Sequence, residues 1–469
     1  IGEEAAKEAK KIVDRAVAFV VSRASLFKDP SGQTWATIPQ SAFKETLRID
    51  SKRFAGWLTR EFWRSEGTIL SEEALRSVQR LLSALADIGE EKDVFVRVGF
   101  CGSPGRPEKI FIDLGDAEFE AIEIDKNGWR IVPHQDEVPF WRPPGLRALP
   151  KPERGGSLEL LRRYIPSESD EDFILIAGYL LSTLAPWGPY PILEITGDAN
   201  SGKSTLARFI RRLVDPHGLE LRHLPEEDRD FFVAAHNTWI LVFDNVSALN
   251  QRTSDILCQI AIGGGYGKRK LWTDQDEVVF FMCRPIILVG IPSVADSPDL
   301  RDRLIRLEFR EIEADKVKDI ATLEAMFKED APKILGALCD AASAALRHYD
   351  DAATFLQQVR KTLPTPPPRM LDAIRWVTAA EIGGALPWKP CGFLNAYTLN
   401  RMETAGDVLN DLVASTIVKF MENRSYWEGS LKDLLKELEG LGDYAVMASK
   451  AFPKEPRMLG KVLRRLAPE

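Results

Sequence analysis

The segment Ile195-Thr196-Gly197-Asp198-Ala199-Asn200-Ser201-Gly202-Lys203-Ser204-Thr205 restricts the fold more than any other part of the chain. It contains Gly-x-x-x-x-Gly-Lys-Ser, preceded by the apolar run Ile192 to Ile195 and followed by a helical pattern from Lys203 to Leu213. Such a loop needs a buried strand to deliver it and a helix to leave it. The glycines let successive backbone N–H groups curl around phosphate oxygens, and the helix N-terminus adds its dipole. The pattern therefore predicts a phosphate cradle made by Gly197, Asp198, Ala199, Asn200, Ser201, Gly202, Lys203, Ser204 and Thr205. In it Lys203 reaches the β- and γ-phosphates of ATP, Ser204 ligates Mg²⁺ and Thr205 makes a packing or secondary contact.

Downstream, Trp239-Ile240-Leu241-Val242-Phe243-Asp244-Asn245 is an apolar strand ending in an acid, which places Asp244 to hold Mg²⁺ through water. Asn245 stands where ring ATPases commonly carry the glutamate that activates water. An amide can orient a water but cannot take its proton. Asp255 and Glu277 are candidate substitutes that no motif supports.

Around these motifs, helices alternate with short apolar strands: Tyr190–Thr196, Trp239–Asn245, Arg284–Ile291 and Leu304–Phe309 read as buried strands of an α/β layer. Residues before about 142 read as a compact α+β domain. It has strands on both sides of a turn at Asp29-Pro30-Ser31-Gly32, helices behind Ser51 and Ser71 as N-caps, and a strand pair joined across Asn127-Gly128. Four prolines within residues 143–156 disfavour regular structure and suggest a linker. After Glu311 the pattern is almost wholly helical.

Bulk properties exclude several classes. The chain has 469 residues, 45% hydrophobic and 28% charged, enough for two or three domains with real cores. No run of eighteen apolar residues predicts a membrane span. Cys101, Cys258, Cys283, Cys339 and Cys391 form no CxxC pair, which argues against zinc and disulfides and fits a reducing cytoplasm. The net charge of −8 means that nucleic acid must be met by local basic patches.

One such patch lies in Gly263 to Phe281, "GGGYGKRKLWTDQDEVVFF", which reads as a hairpin with a basic root and an acidic tip. This hairpin precedes the strand Arg284–Ile291, and Pro298-Asp299-Leu300-Arg301-Asp302-Arg303 follows that strand. In this order the chain resembles the AAA+ helicase clade that includes superfamily 3 viral helicases and minichromosome maintenance proteins. Within that clade it looks most like the primase-associated helicase ATPases of phages and mobile elements. The resemblance runs from about Leu26 to the C-terminus, with its specific motifs between Gly197 and Arg303.

The resemblance implies an α/β P-loop AAA+ ATPase core over residues 157–363 with a helical lid. It also implies an N-terminal α+β collar or docking domain at 1–142, a Pro-rich linker at 143–156, a helical extension at 364–424 and a partial winged-helix-like end at 425–469. Arg457, Lys461, Arg464 and Arg465 are basic positions of that end. Lys268, Arg269 and Lys270 match the clade's pore hairpin, whose basic residues grip the DNA backbone without base readout. Arg303 matches the arginine finger that acts on the neighbouring subunit's γ-phosphate, with Arg301 and Arg306 as competitors. The polar sensor expected after the central strand is replaced by Val289, and Arg369 is a candidate for a second sensor.

The implied activity is ATP-dependent DNA translocation or unwinding by a ring, a hexamer in the clade, during phage or mobile-element replication. The catalytic residues would be Lys203, Asp244, Asn245 and Arg303, the cofactors ATP and Mg²⁺. The partners would be single-stranded or forked DNA, further copies of the chain, and a primase or polymerase. A different class is also open: a P-loop switch or assembly ATPase that hydrolyses slowly and acts through protein partners, which Asn245 and Val289 favour. A metabolic kinase finds no acceptor site.

Overall fold

The computed structural model describes residues 2–103, 105–134, 137–269, 277–294, 297–313, 315, 317–359, 369–409, 412–422, 424, 426–441, 453 and 455–466.

Residues 2–91 form one α/β layer. Helices α1 (Gly2–Val21), α2 (Lys52–Glu66) and α3 (Glu72–Asp87) accompany β1 (Ser25–Lys28), β2 (Thr34–Pro39), β3 (Lys44–Arg48) and β4 (Glu90–Glu91), in sheet order β3-β2-β1-β4. The β1–β2 turn is held by Asp29, whose Oδ1 accepts the N–H groups of Ser31 and Gln33 at 2.9 and 3.0 Å. Ser51 and Ser71 are the N-caps expected, accepting from Phe54 N and Ala74 N. Phe54, Trp57, Leu58, Phe62, Val78 and Leu82 bury together with Ala36 and Ile38, a core separate from the others.

A second sheet is the meander β5 (Val98–Ser103), β6 (Arg106–Asp113), β7 (Glu120–Asp125) and β8 (Gly128–Pro133). Its register pairs Asp125 with Gly128, so Lys126 and Asn127 make the turn and Gly128 opens β8 at φ 144°. This differs by one residue from the turn read in the sequence, because the glycine's freedom is spent on the first strand position. Val98, Ile110, Ile112, Ile122, Ile124 and Trp129 bury in the same core as the helices and parallel sheet that follow.

That parallel sheet contains β9 (Ile192–Gly197), β10 (Leu241–Phe243), β13 (Ile286–Val289) and β14 (Leu304–Phe309), in order β10-β13-β9-β14. These are the four strands expected from the apolar runs. Helices α4 (Asp170–Ser182) and α5 (Lys203–Val214) pack on one face, and α6 (Asp228–Asn237) and α7 (Gln251–Ile262) on the other. The antiparallel pair β11 (Gly264–Arg269) and β12 (Glu277–Met282) follows α7, and the short α8 (Pro298–Arg301) precedes β14. The described elements that follow are all helices: α9 (Ile320–Arg347), α10 (Tyr349–Val359), α11 (Leu371–Ile382), α12 (Gly392–Leu409), α13 (Leu412–Met421), α14 (Leu431–Leu441) and α15 (Pro456–Leu466). Val413, Phe420, Leu434, Leu435, Leu438 and Leu459 give α13–α15 a small core of their own.

Residues 143–156 have no helix or strand, as their prolines predict, yet they are seated firmly. Glu153 N donates to the Pro332 carbonyl of α9 at 2.9 Å. A Cβ on Gly336 would lie 1.7 Å from the Glu153 carbonyl oxygen, and one on Gly156 would lie 1.9 Å from that of Lys333. Two glycines thus let backbone meet backbone, and the segment is a strap clamped onto α9.

The second sheet is also tied to α5 by charge. Arg97, fully buried in the left-handed region at φ 65°, pairs with the buried Asp215 that caps the C-terminus of α5 (Nε–Oδ1 3.0 Å). It donates further to the carbonyls of Asp113, Arg147 and Pro216, while Asp215 Oδ2 accepts from Trp239 N at 2.8 Å. Every group in this cluster is satisfied, which a buried pair requires. Beside it, burial alone would raise the pKa of Asp113. Hydrogen bonds from His134 and Arg142, with the Arg142 charge, outweigh that and hold the carboxyl well below the usual range.

Candidate nucleotide site

The glycine-rich loop leaves β9 at its C-terminal end and enters α5, at the edge of a parallel sheet where ligands of α/β folds collect. Its backbone is sharply turned: Gly197 has φ 142°, Asn200 59° and Gly202 79°. A Cβ on Gly197 would lie 2.0 Å from the Phe309 carbonyl oxygen, so only glycine fits there. Asp198 N donates to Phe309 O and Ile312 N to Asn200 O, which fasten the loop to the end of β14. The N–H groups of Ala199, Asn200, Ser201, Gly202 and Lys203 have no protein acceptor among the described residues. The Ser201 hydroxyl is buried and also lacks a partner. Such a ring of unused donors at a helix N-terminus suits an anion.

Lys203 Nζ donates to the Asp198 carbonyl at 2.7 Å, so its ammonium bends back over the loop it follows. Ser204 Oγ donates to Asp244 Oδ1 at 3.2 Å, which joins the two motifs although β13 lies between their strands. A hydroxyl and a carboxylate are hard oxygen donors of the kind Mg²⁺ takes, so this pair fits the ion that the motifs imply. Asn245 follows with φ 58°, its N–H donating to Asp244 Oδ1 at 2.9 Å. Thr205 lies half-buried in the first turn of α5.

The remaining expected residues are not gathered here. Val289 is fully buried and belongs to the sheet core, pairing in register with Ile195. Asp255 accepts from Gln251 Nε2, and Glu277 sits opposite Arg269 in the hairpin register. Asp255 forms no bond to Asp244 among the described residues, and the side chain of Glu277 lies outside them. Arg303 precedes β14 at the end of the sheet opposite the loop, its carbonyl accepting from Ile192 N. The five steps of β9 put it about 16 Å from its own loop. It is 8% exposed and pairs with Asp299 at 2.5 Å. Arg301 is buried as well, and Arg306 turns toward Glu308 at 2.8 Å. Arg369, the candidate second sensor, lies with the Arg303 group instead, 3.1 Å from both Asp299 and Asp302.

The hairpin exists, but its register corrects the expected layout. Gly264 pairs with Met282 at the root, and Lys268 and Arg269 pair with Val278 and Glu277 at the distal end. The basic residues therefore adjoin the tip, because the glycine run is itself paired and uses up the first half of the strand. Lys270 and most of the acidic tip lie outside the described residues. So do Lys461, Arg464 and Arg465 as side chains, though α15 carries them.

With this geometry in view, the chain can be compared with known proteins. Residues 158–358 match the family described as actinomycete integrative conjugative element replication protein. Residues 413–469 match the C-terminal domain of the RepA proteins of such elements. No curated protein matches the chain. Among solved structures, one described as "SCCmec type IV Cch - active helicase" is similar at 15% identity and a TM-score of 0.51, over 87% of this chain and 79% of that one. The NrS-1 C-terminal region is similar at 10% identity and a TM-score of 0.42, over 96% and 89%. The JCV helicase is similar at 16% identity and a TM-score of 0.26, over 49% and 64%. The first of these likenesses shows a shared mixed α/β fold with a parallel sheet. The resemblance read from the motifs has a counterpart in each comparison: a structural neighbour whose description names a helicase, and a mobile-element replication family among the sequences.

Two groups escaped the sequence reading. One is the Arg97–Asp215 pair, separated by more than a hundred residues and signalled by nothing in the local pattern. The other is the extended segment around Arg222, which pairs with β10 through Arg222 N to Val242 O and Asp244 N to Arg222 O, at 3.0 and 2.8 Å. Its only local trace is the polar pair Arg222 and His223 set between Leu221 and Leu224.

Proposed function

We infer that this chain is an ATP-dependent DNA translocase or helicase that works as a ring, a hexamer in the clade it resembles, in the replication of a mobile element. The observation that carries the reading is the Ser204–Asp244 contact beneath a loop of unused N–H donors, in a segment matched to a replication family. Lys203 and the loop amides would hold the ATP phosphates. Ser204 and Asp244 would hold Mg²⁺, which supplies charge neutralisation on the phosphates. Arg303 would act on the site of the next subunit, in keeping with its distance from its own loop. It would first have to leave Asp299. The pair β11–β12, with Lys268, Arg269 and Lys270, would contact the DNA backbone.

In this reading residues 157–363 are the AAA+ core, to which β5–β8 and the strap at 143–156 are joined, and the collar is the docked part, residues 2–91. Residues 364–424 are the helical extension and 425–469 the beginning of a winged helix. A primase or polymerase would be the partner at the fork, and the cytoplasm the place of work.

One observation favours a second reading, a slowly hydrolysing switch that acts through proteins. Val289 is sealed in the core and Asn245 is an amide, so two polar groups usual near a γ-phosphate are missing. ATP hydrolysis with and without single-stranded DNA separates the two, with Lys203→Ala as the blank. Stimulation by DNA that is lost when Lys268, Arg269 and Lys270 become alanine is expected of the translocase. Slow turnover indifferent to DNA would select the switch.

A further inference from the structure

Asn245 is an amide where ring ATPases commonly carry a carboxylate, and the sheet places another polar side chain beside Asp244. Arg222 is paired in parallel with Phe243, donating to Val242 O and accepting from Asp244 N. The next residues, His223 and Asp244, therefore stand level with one another. Strand alternation turns them to one side. Two residues earlier, Leu221 packs against the core that holds Val242 and α5, whereas Leu224 and Phe243 belong to the core on the opposite face. His223 is thus on the α5 face with Asp244, where Ser204 meets that carboxylate. Its imidazole is exposed, and its ring forms no hydrogen bond among the described residues.

We propose that His223 holds the attacking water, accepting one of its O–H hydrogen bonds at an imidazole nitrogen, in place of the carboxylate missing after Asp244. This rests on the ATP-hydrolysing reading above. In the step itself the water oxygen bonds to the γ-phosphorus as the bond to the β,γ-bridging oxygen breaks. ADP leaves, and the water's proton passes to a γ-phosphate oxygen. The histidine's task is to aim the oxygen.

The experiment compares wild type, His223→Ala and His223→Asn for kcat, for the affinity of a fluorescent ATP analogue and for Tm. Loss of about a hundredfold in kcat in His223→Ala, with affinity and Tm held and partial recovery in His223→Asn, is the expected result. Unchanged kcat in His223→Ala overturns the proposal and leaves the proposed function standing. Affinity falling as much as kcat overturns it too, since the residue would then serve binding. A wild type that binds the analogue but hydrolyses no ATP sinks both this proposal and the hydrolytic reading on which it rests.

Discussion

The two N-terminal sheets are attached to the rest of the molecule in different ways. The first, β1–β4, keeps a core to itself and meets its neighbours through aromatic contacts. Phe43 stacks on Phe119 at 4.0 Å with Arg142 over the other ring at 3.8 Å, and Trp35 reaches His236 of α6 by way of Trp141. The second, β5–β8, has no such independence. It shares a core with the parallel sheet, is strapped to α9 and is pinned to α5 by Arg97. Sequence adjacency therefore hides a mechanical boundary: the chain passes from a docked module into the body that carries the glycine-rich loop between β4 and β5, well before the proline-rich stretch.

The largest expected effect comes from Arg97→Ala, which strands Asp215 in the interior. Removing one member of a buried pair costs about 3–5 kcal/mol. The parallel sheet should lose stability with the second sheet, seen as one shifted denaturant transition reporting on both; a change confined to residues 94–150 would break the comparison. Phe43→Ala should cost about 1 kcal/mol and be felt locally, as faster proteolysis within residues 2–91 at unchanged nucleotide affinity.

The smallest effect at neutral pH belongs to His236. Burial, then the charges of Arg284 and Arg48, lower its pKa to about 4. Between that value and the ordinary one near ~6.5, the unfolded chain holds a proton that the folded chain does not. Stability should accordingly fall as pH drops from about 7 toward 4, by at most about 1.4 kcal/mol per unit. Thermal melts of His236→Phe should lack that slope.

What was legible in the residues had local causes. Gly197, Gly202 and Lys203 announce their loop because their spacing marks that turn at a helix entrance, and β10 and β13 are apolar on both faces. Ser51 and Ser71 cap helices whose periodicity begins beside them. What stayed hidden depends on distant partners. Arg97 resembles any arginine near a strand until Asp215 is brought beneath it. The strap looks like a linker because prolines describe what its backbone cannot form, and say nothing of the groove opened by Gly156 and Gly336. The hairpin's polarity was misread since glycines suggest a loop, and here they are paired.

Helix α5 begins at Lys203 and is capped at its C-terminus by Asp215, the residue that grips Arg97. Its twelve residues make a stiff rod about 18 Å long. A rod held at both ends cannot shift at one of them alone. An axial displacement of the glycine-rich loop would therefore be carried along α5 to the Arg97 contact beneath the second sheet.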